Sequence, residues 1–210
     1  MDNIIIIGAG GLAREVAWLI EEINLVQKKW NLLGFYDETK ISSGDINGYA
    51  SLSKADVYDN SNSHFVIAIG DPEIRKDVFS RFSHLNYATL IHPDVKISNT
   101  NSIGKGTIIC KGTIITVNVK IGKQVIINLD STIGHDAVIN DFVTILPSVN
   151  ISGYVKIGKY TSVGTGTQII QELEVGSNSV IGAGSVVVRD IEDYVVAVGL
   201  PAKAIKNRRK

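Results

Sequence analysis

The stretch IGKGTIICKGTIITVNVKIGKQVIINLDSTI, residues 103–133, places isoleucine at positions 103, 109, 115, 121, 127 and 133. Followed outward, the rule holds from Ile91 to Val187, with Ile or Val at 17 consecutive sixth positions. Neither a helix nor an ordinary strand has that period. It fits a coil in which each short strand buries one branched aliphatic and then turns a corner. Three strands close a triangular turn of 18 residues, and stacked turns form a parallel β-helix. With neighbouring strands about 4.8 Å apart, nearly six turns make a prism roughly 27 Å long. Glycine often follows the anchor, as in Ile103-Gly104, Ile121-Gly122, Ile157-Gly158 and Val163-Gly164. These glycines read as corners with positive φ. Small or β-branched residues four places after each anchor, such as Thr107, Ser131 and Thr161, are expected to point inward.

Residues before the coil follow different rules. Asn3–Ile7 is a β-branched run, Leu12–Ile23 has helical apolar spacing, and Asn31–Tyr36 and Phe65–Ile69 read as strands. A helix with Pro72 in its first turn runs to Phe82. Strands alternating with helices imply a small parallel α/β domain. The division predicted is 1–91 for this Rossmann-like domain and 92–210 for the β-helix, which ends in a short tail opened by Gly199-Leu200-Pro201-Ala202. The basic residues Lys203, Lys206, Arg208, Arg209 and Lys210 in that tail are read as a solvated terminus.

Composition narrows the function. Lys+Arg and Asp+Glu both number 21, so no charge excess points to nucleic acid or a membrane surface. No apolar run is long enough to span a bilayer and no signal segment is seen, so a soluble cytoplasmic protein is expected. The one cysteine, Cys110, excludes a disulfide framework and is read as structural. Only His92 and His135 lie in or beside the coil, too few for a three-histidine zinc centre, and no metal is expected.

His135 stands two residues after the anchor Ile133, a position expected to point outward, with Asp136 next to it. Imidazole titrates near neutrality and can take a proton from an incoming nucleophile, and a carboxylate beside it orients the ring. One turn further on, 135 plus 18, is Gly153. A glycine stacked on the histidine leaves its N–H open to a developing oxyanion.

The six-residue pattern resembles the hexapeptide-repeat, left-handed β-helix acyltransferases. The segment Asn128–Phe142 is similar to the active-site segment of nucleotide-sugar N-acetyltransferases of the PglD-like type and the related sialic acid O-acetyltransferase-like proteins. The resemblance implies the left hand of the coil, a homotrimer with active sites in the grooves between prisms, and acetyl-coenzyme A (acetyl-CoA) as co-substrate. It also implies His135 as general base with Asp136 and Asn128, and the Gly153 amide on the thioester carbonyl. Some members carry a second histidine near acetyl-CoA where this chain has Thr144. Gly164, Ala183 and Pro201 are further candidates to line the coenzyme.

Gly8-Ala9-Gly10-Gly11-Leu12-Ala13 follows a strand and opens a helix, and Asp37 ends the next strand. This fits G-x-G-x-x-A, in which the backbone approaches a phosphate at a helix N-terminus. A domain this short holds one mononucleotide half, which argues against a nicotinamide dinucleotide. The resemblance assigns the motif to a nucleotide-sugar, with Gly8, Gly10, Gly11, Leu12, Asp37, Gly70 and Arg75 lining it. The family often has His where Leu12 stands. The expected reaction is N-acetylation of a nucleotide-linked 4-amino-4,6-dideoxy sugar for surface glycans. The alternative is O-acetylation of sialic acid or another sugar hydroxyl.

Overall fold

The computed structural model describes residues 1–39 and 44–208. Arg209 and Lys210 of the basic tail lie outside the described residues.

The first domain is a five-stranded parallel sheet of β1 (Asp2–Ile7), β2 (Trp30–Tyr36), β3 (Ala50–Leu52), β4 (His64–Ile67) and β5 (Asn86–Tyr87), ordered β3-β2-β1-β4-β5. Helices α1 (Gly11–Val26), α2 (Lys54–Asp59) and α3 (Pro72–Arg81) cover it. Successive side chains of β1 go to opposite faces. Ile4 and Ile6 pack toward α1, and Ile5 and Ile7 toward Val57 of α2 and Val78 of α3. That is why the run is aliphatic throughout: a central parallel strand is buried on both sides. Asp71 caps α3 by accepting from the Glu73 and Ile74 N–H groups at 2.9 Å, and Pro72 fills the first helical position. The sequence reading did not resolve β3 and α2, the latter started by a Ser53–Asp56 capping box.

The prism begins at Leu90–Ile91. Each two-residue strand pairs in parallel with the strand 18 residues on, as in Ile109↔Ile127↔Ile145↔Val163↔Ile181. Three faces result. The first holds the strands at 108–109, 126–127 and 144–145, the second those at 114–115, 132–133 and 150–151, and the third those at 120–121, 138–139 and 156–157. The anchors from Ile109 onward form one buried cluster. Thr107, Ser131 and Thr161 point inward as expected and donate to carbonyls of the next turn.

The corners work differently from the sequence reading. Positive φ falls on the third residue after the anchor, at Asn118, Gln124, Asp130, Asp136, Phe142, Tyr154 and Tyr160, all near +55 to +62°. The glycines directly after anchors are not in that region. They are small because the next turn lies against them: a Cβ on Gly158 would stand 2.4 Å from the Ser177 nitrogen, and one on Gly164 2.5 Å from the Ala183 nitrogen.

The amino-terminal domain sits on the first face. Leu90, Ile108 and Ile126, whose side chains point out from that face, are buried with Ala13, Val16 and Ile20 of the domain. Cys110 is buried in the same cluster, and burial pushes its thiol up to about 12. At the margin, Glu22 of α1 accepts from Lys111 at 3.0 Å and pairs with the buried His92 at 3.3 Å.

The carboxy-terminal segment is not a free tail. Val195–Val198 pairs in parallel with Val180–Ile181 and antiparallel with Lys203–Asn207, capping the prism. Arg208 donates to the Asn178 carbonyl at 3.0 Å and pairs with Glu73 of α3 at 3.1 Å.

A pair of variants separates the two kinds of small corner residue. Gly158→Ala is expected to destabilise the fold by about 1–3 kcal/mol through overpacking. Gly166→Asn, at φ +72° with nothing within 4 Å of an added Cβ, is expected to be nearly neutral, because Asn tolerates the left-handed region. Thermal unfolding of both, with Gly158→Ala melting lower, is the check.

Candidate active site

His135 lies on the edge between the second and third faces, 54% exposed at its side chain. Its Nδ1 is 2.9 Å from Asp136 Oδ2. With the proton on Nδ1 donated to that carboxylate, Nε2 faces outward with a free lone pair. Asp136 sits at φ +59°, and its other oxygen accepts from Asn118 Nδ2 at 3.3 Å. Tyr154 meets the imidazole edge-on, with centroids 5.1 Å apart and planes at 89°.

Gly153 lies beneath the ring. A Cβ there would stand 2.7 Å from both Cε1 and Nε2 of His135, so only glycine lets the imidazole lie in this position. Among the described residues the Gly153 N–H has no acceptor within the chain. Of the amides at the same place in other turns, those of Lys123 and Ser177 are covered by the carboxylates of Asp141 and Asp193, while those of Lys159, Thr165 and Ala183 are, among the described residues, open like that of Gly153; what sets Gly153 apart is the imidazole stacked on it. An open N–H beside a proton acceptor is the pairing that acyl transfer uses.

A second concavity, about 420 Å³, lies at the carboxyl ends of β1, β2 and β4, where strand order reverses. Gly8, Gly10, Gly11, Leu12, Asp37 and Gly70 line it, as expected from the sequence. Gly8, at φ +114° with the Ala68 carbonyl 2.9 Å from a would-be Cβ, makes the tight turn. An added Cβ on Gly10 meets nothing within 4 Å, so the loop backbone is open there. The start of α1 has no side-chain cap and no acid in its first turn. Its N–H groups therefore face the cavity as an anion-binding end. Asp37 holds the loop, with Oδ2 accepting from Ala9 N–H at 3.0 Å and Oδ1 from Thr39. Arg81 and Glu38 form an ion pair on the rim, and Arg81 holds the Glu38 carboxyl below its ordinary range.

Two expected ligand contacts are corrected by burial. Arg75 does not face the cavity. It is fully buried, and its guanidinium donates to backbone carbonyls and to Thr144 Oγ1. Thr144, expected beside the coenzyme, is buried too, and its hydroxyl donates to the Gly70 carbonyl at 2.6 Å. Asn128 lies on the edge between the first and second faces, with Oδ1 on the Leu129 N–H at 2.8 Å, so one chain does not bring it to His135. Gly164 and Ala183 lie on that same edge, and Pro201 is exposed in the terminal hairpin turn.

Sequence reasoning missed Asn118 and Tyr154. The arithmetic that found Gly153 also finds them, since 118 and 154 are one turn either side of Asp136. Glu38 and Arg81 carried no motif; only the fold brings a strand end and a helix end together. No group of three or more potential metal ligands occurs among the described residues. No described helix is long and apolar enough to cross a membrane.

Residues 3–82 match the PglD N-terminal domain family. Over nearly its whole length the chain is similar to the acetyltransferase domain of PglB from Neisseria gonorrhoeae, at 29% identity and TM-score 0.85, covering 98% of this chain and 100% of that one. That domain has also been solved in complex with acetyl coenzyme A, with 28% identity, TM-score 0.87 and coverage of 97% and 99%. PerB from Caulobacter crescentus, solved with CoA and GDP-perosamine, is 26% identical with TM-score 0.85 and covers 98% of each chain. A curated Saccharomyces cerevisiae protein, YJL218W, is 54% identical over 41 residues, so the match spans about a fifth of that relative's length (21%). The class defined by fold and site is therefore an α/β domain followed by a left-handed β-helix. Within it the chain is similar to the acetyltransferase domain of PglB and to WeeI from Acinetobacter baumannii, and residues 3–82 carry the match to the PglD N-terminal domain.

Gly153→Ala is expected to push the imidazole off its carboxylate. A crystal structure of the variant that keeps Nδ1 of His135 at 2.9 Å from Asp136 would contradict the packing described.

Proposed function

We propose that the protein transfers the acetyl group of acetyl-CoA to the amine of a nucleotide-linked 4-amino-4,6-dideoxy sugar, for surface glycan synthesis. The observation that carries this reading is His135, held through Nδ1 by Asp136 and stacked on the unpaired Gly153 amide. The cavity around Gly8–Leu12 supplies the second half: an open, uncapped helix start for a diphosphate beside an apolar wall.

In the reaction, the sugar amine attacks the thioester carbonyl, forming the C–N bond. The carbonyl oxygen becomes negative and is received by the Gly153 N–H. Nε2 of His135 takes the proton that the amine must lose, and Asp136 stabilises the imidazolium. The C–S bond then breaks, and the thiolate of CoA leaves with that proton.

His135 and the glycine-loop cavity are not on the same side of one chain. The domain bearing the cavity covers the first face, and His135 lies on the edge opposite that face. A second copy has to complete the site. The second face suits such a contact, because its outward residues Ile114, Thr132, Asn150, Gln168 and Val186 are all uncharged, whereas the third face presents Lys120, Lys156 and Glu174. Val117, Tyr154 and Ile170 leave exposed apolar surface along the His135 edge. A homotrimer, closing three such grooves, is the assembly we infer. Asn128, Gly164, Ala183 and Pro201 act, on this reading, from the far border of the second face, along the same groove.

The test is thiol release from acetyl-CoA with UDP-, dTDP- and GDP-linked 4-amino sugars. Turnover with one of them, reduced roughly 10²–10⁴-fold in His135→Ala, is expected if the histidine is the base. Equal turnover by both proteins removes His135 from that role. Turnover only with hydroxyl acceptors overturns the amine as the acceptor.

A further inference from the structure

We infer that Arg75 is a positioning residue for the nucleotide-sugar cavity: it fixes the Ile69-Gly70 wall against the prism without touching the ligand. The inference rests on the nucleotide-sugar reading above and adds a residue that acts on it from behind.

Arg75 is fully buried, and its six acceptors are five backbone carbonyls and one hydroxyl. They fall into two sets. NH1 donates to the carbonyls of Ile69 at 2.6 Å and Gly70 at 3.0 Å, both residues of the cavity wall. Nε and NH2 donate to the prism, to the carbonyls of Gln124 at 3.0 Å and Phe142 at 2.8 Å and to Thr144 Oγ1 at 2.9 Å. Thr144 closes the loop by donating back to the Gly70 carbonyl at 2.6 Å. One planar fork thus ties the wall to two successive turns of the prism.

No carboxylate hydrogen-bonds to it, and the one acid that acts on it, Asp71, does so only through its field. A buried charge without a directly bonded counter-ion is costly, and desolvation, outweighing the opposing field of Asp71, lowers the Arg75 pKa to about 9. A stability role by itself would be met more cheaply by an apolar side chain. What the guanidinium supplies is five rigidly directed donors, which here set the spacing between cavity wall and prism. Position matters for this protein in particular, because the sugar held by the cavity must reach a histidine carried by a prism.

Arg75→Lys keeps the charge and loses the fork. Thr144→Val removes the bridging hydroxyl at nearly constant volume and is the milder variant. Calorimetric titration of the intact chain with GDP, UDP and dTDP, and with acetyl-CoA as control, is the experiment. For the nucleotide that wild type binds, Kd is expected to rise at least tenfold in Arg75→Lys and about threefold in Thr144→Val, with Kd for acetyl-CoA within twofold of wild type. A merely structural arginine would lower the melting temperature and leave these affinities alone. Should Arg75→Lys fail to fold, Thr144→Val decides: unchanged nucleotide affinity there overturns the proposal, as does parallel loss of acetyl-CoA affinity in either variant. Wild type that binds none of the three nucleotides overturns the nucleotide-sugar reading and this inference together.

Discussion

The constraint on which the rest depends is the direct stacking of each coil on the one before it, 18 residues on. Parallel pairing of Ile109, Ile127, Ile145, Val163 and Ile181 in a single row leaves no slack between turns. A slip of one residue would turn every anchor outward. Because the register is fixed, residues one turn apart meet at defined places. Asn118, Asp136 and Tyr154 share one column, and His135 and Gly153 the neighbouring one. His135 and the open amide are therefore held by the backbone lattice of the prism, a more rigid support than a loop.

The second consequence is where the two binding features fall. A three-sided prism has one edge opposite any given face. Covering the first face with the α/β domain sends His135 to the edge farthest from it. The fold separates within one chain what the proposed chemistry needs together, and the uncharged second face and the apolar residues beside His135 suit the contact between chains that the proposal requires. On the proposed assembly, precision is carried across two joints, between chains and between domains. Arg75, with His92, Glu22 and Lys111 at the margin, stiffens the second.

Much of this was legible in the sequence because it is periodic. The anchors, the inward Thr and Ser residues, and His135 over Gly153 all follow from counting in sixes and eighteens. The same count gives Asn118 and Tyr154, one turn either side of Asp136. What failed was whatever depends on burial between distant segments. Arg75 follows a glycine-bearing wall segment by a few residues, which suggests a phosphate ligand; only the packed prism shows its fork turned inward to Phe142 and Gln124. Thr144 was misplaced for the same reason. The corner glycines were assigned to backbone freedom, when close approach of the next turn is the cause and Asn, Asp and aromatic residues take the positive φ. The strand Lys203–Asn207 is exposed, in keeping with a solvated basic terminus, but its pairing to Val195–Val198 and that of Arg208 to Glu73 leave no local signature.

The central claim is that each active site joins the cavity of one chain to His135 of another. Subunit mixing tests it most directly, with His135→Ala and Gly10→Glu chains co-assembled in equal amounts. Gly10→Glu has room for its side chain and puts a negative charge where the diphosphate would lie. Each variant alone is expected to be inactive. Mixed assemblies should recover about one quarter of wild-type activity, since every site draws its cavity and its histidine independently from different chains of a symmetric oligomer. Mixed assemblies as inactive as the separate variants would contradict the claim and return the whole site to a single chain.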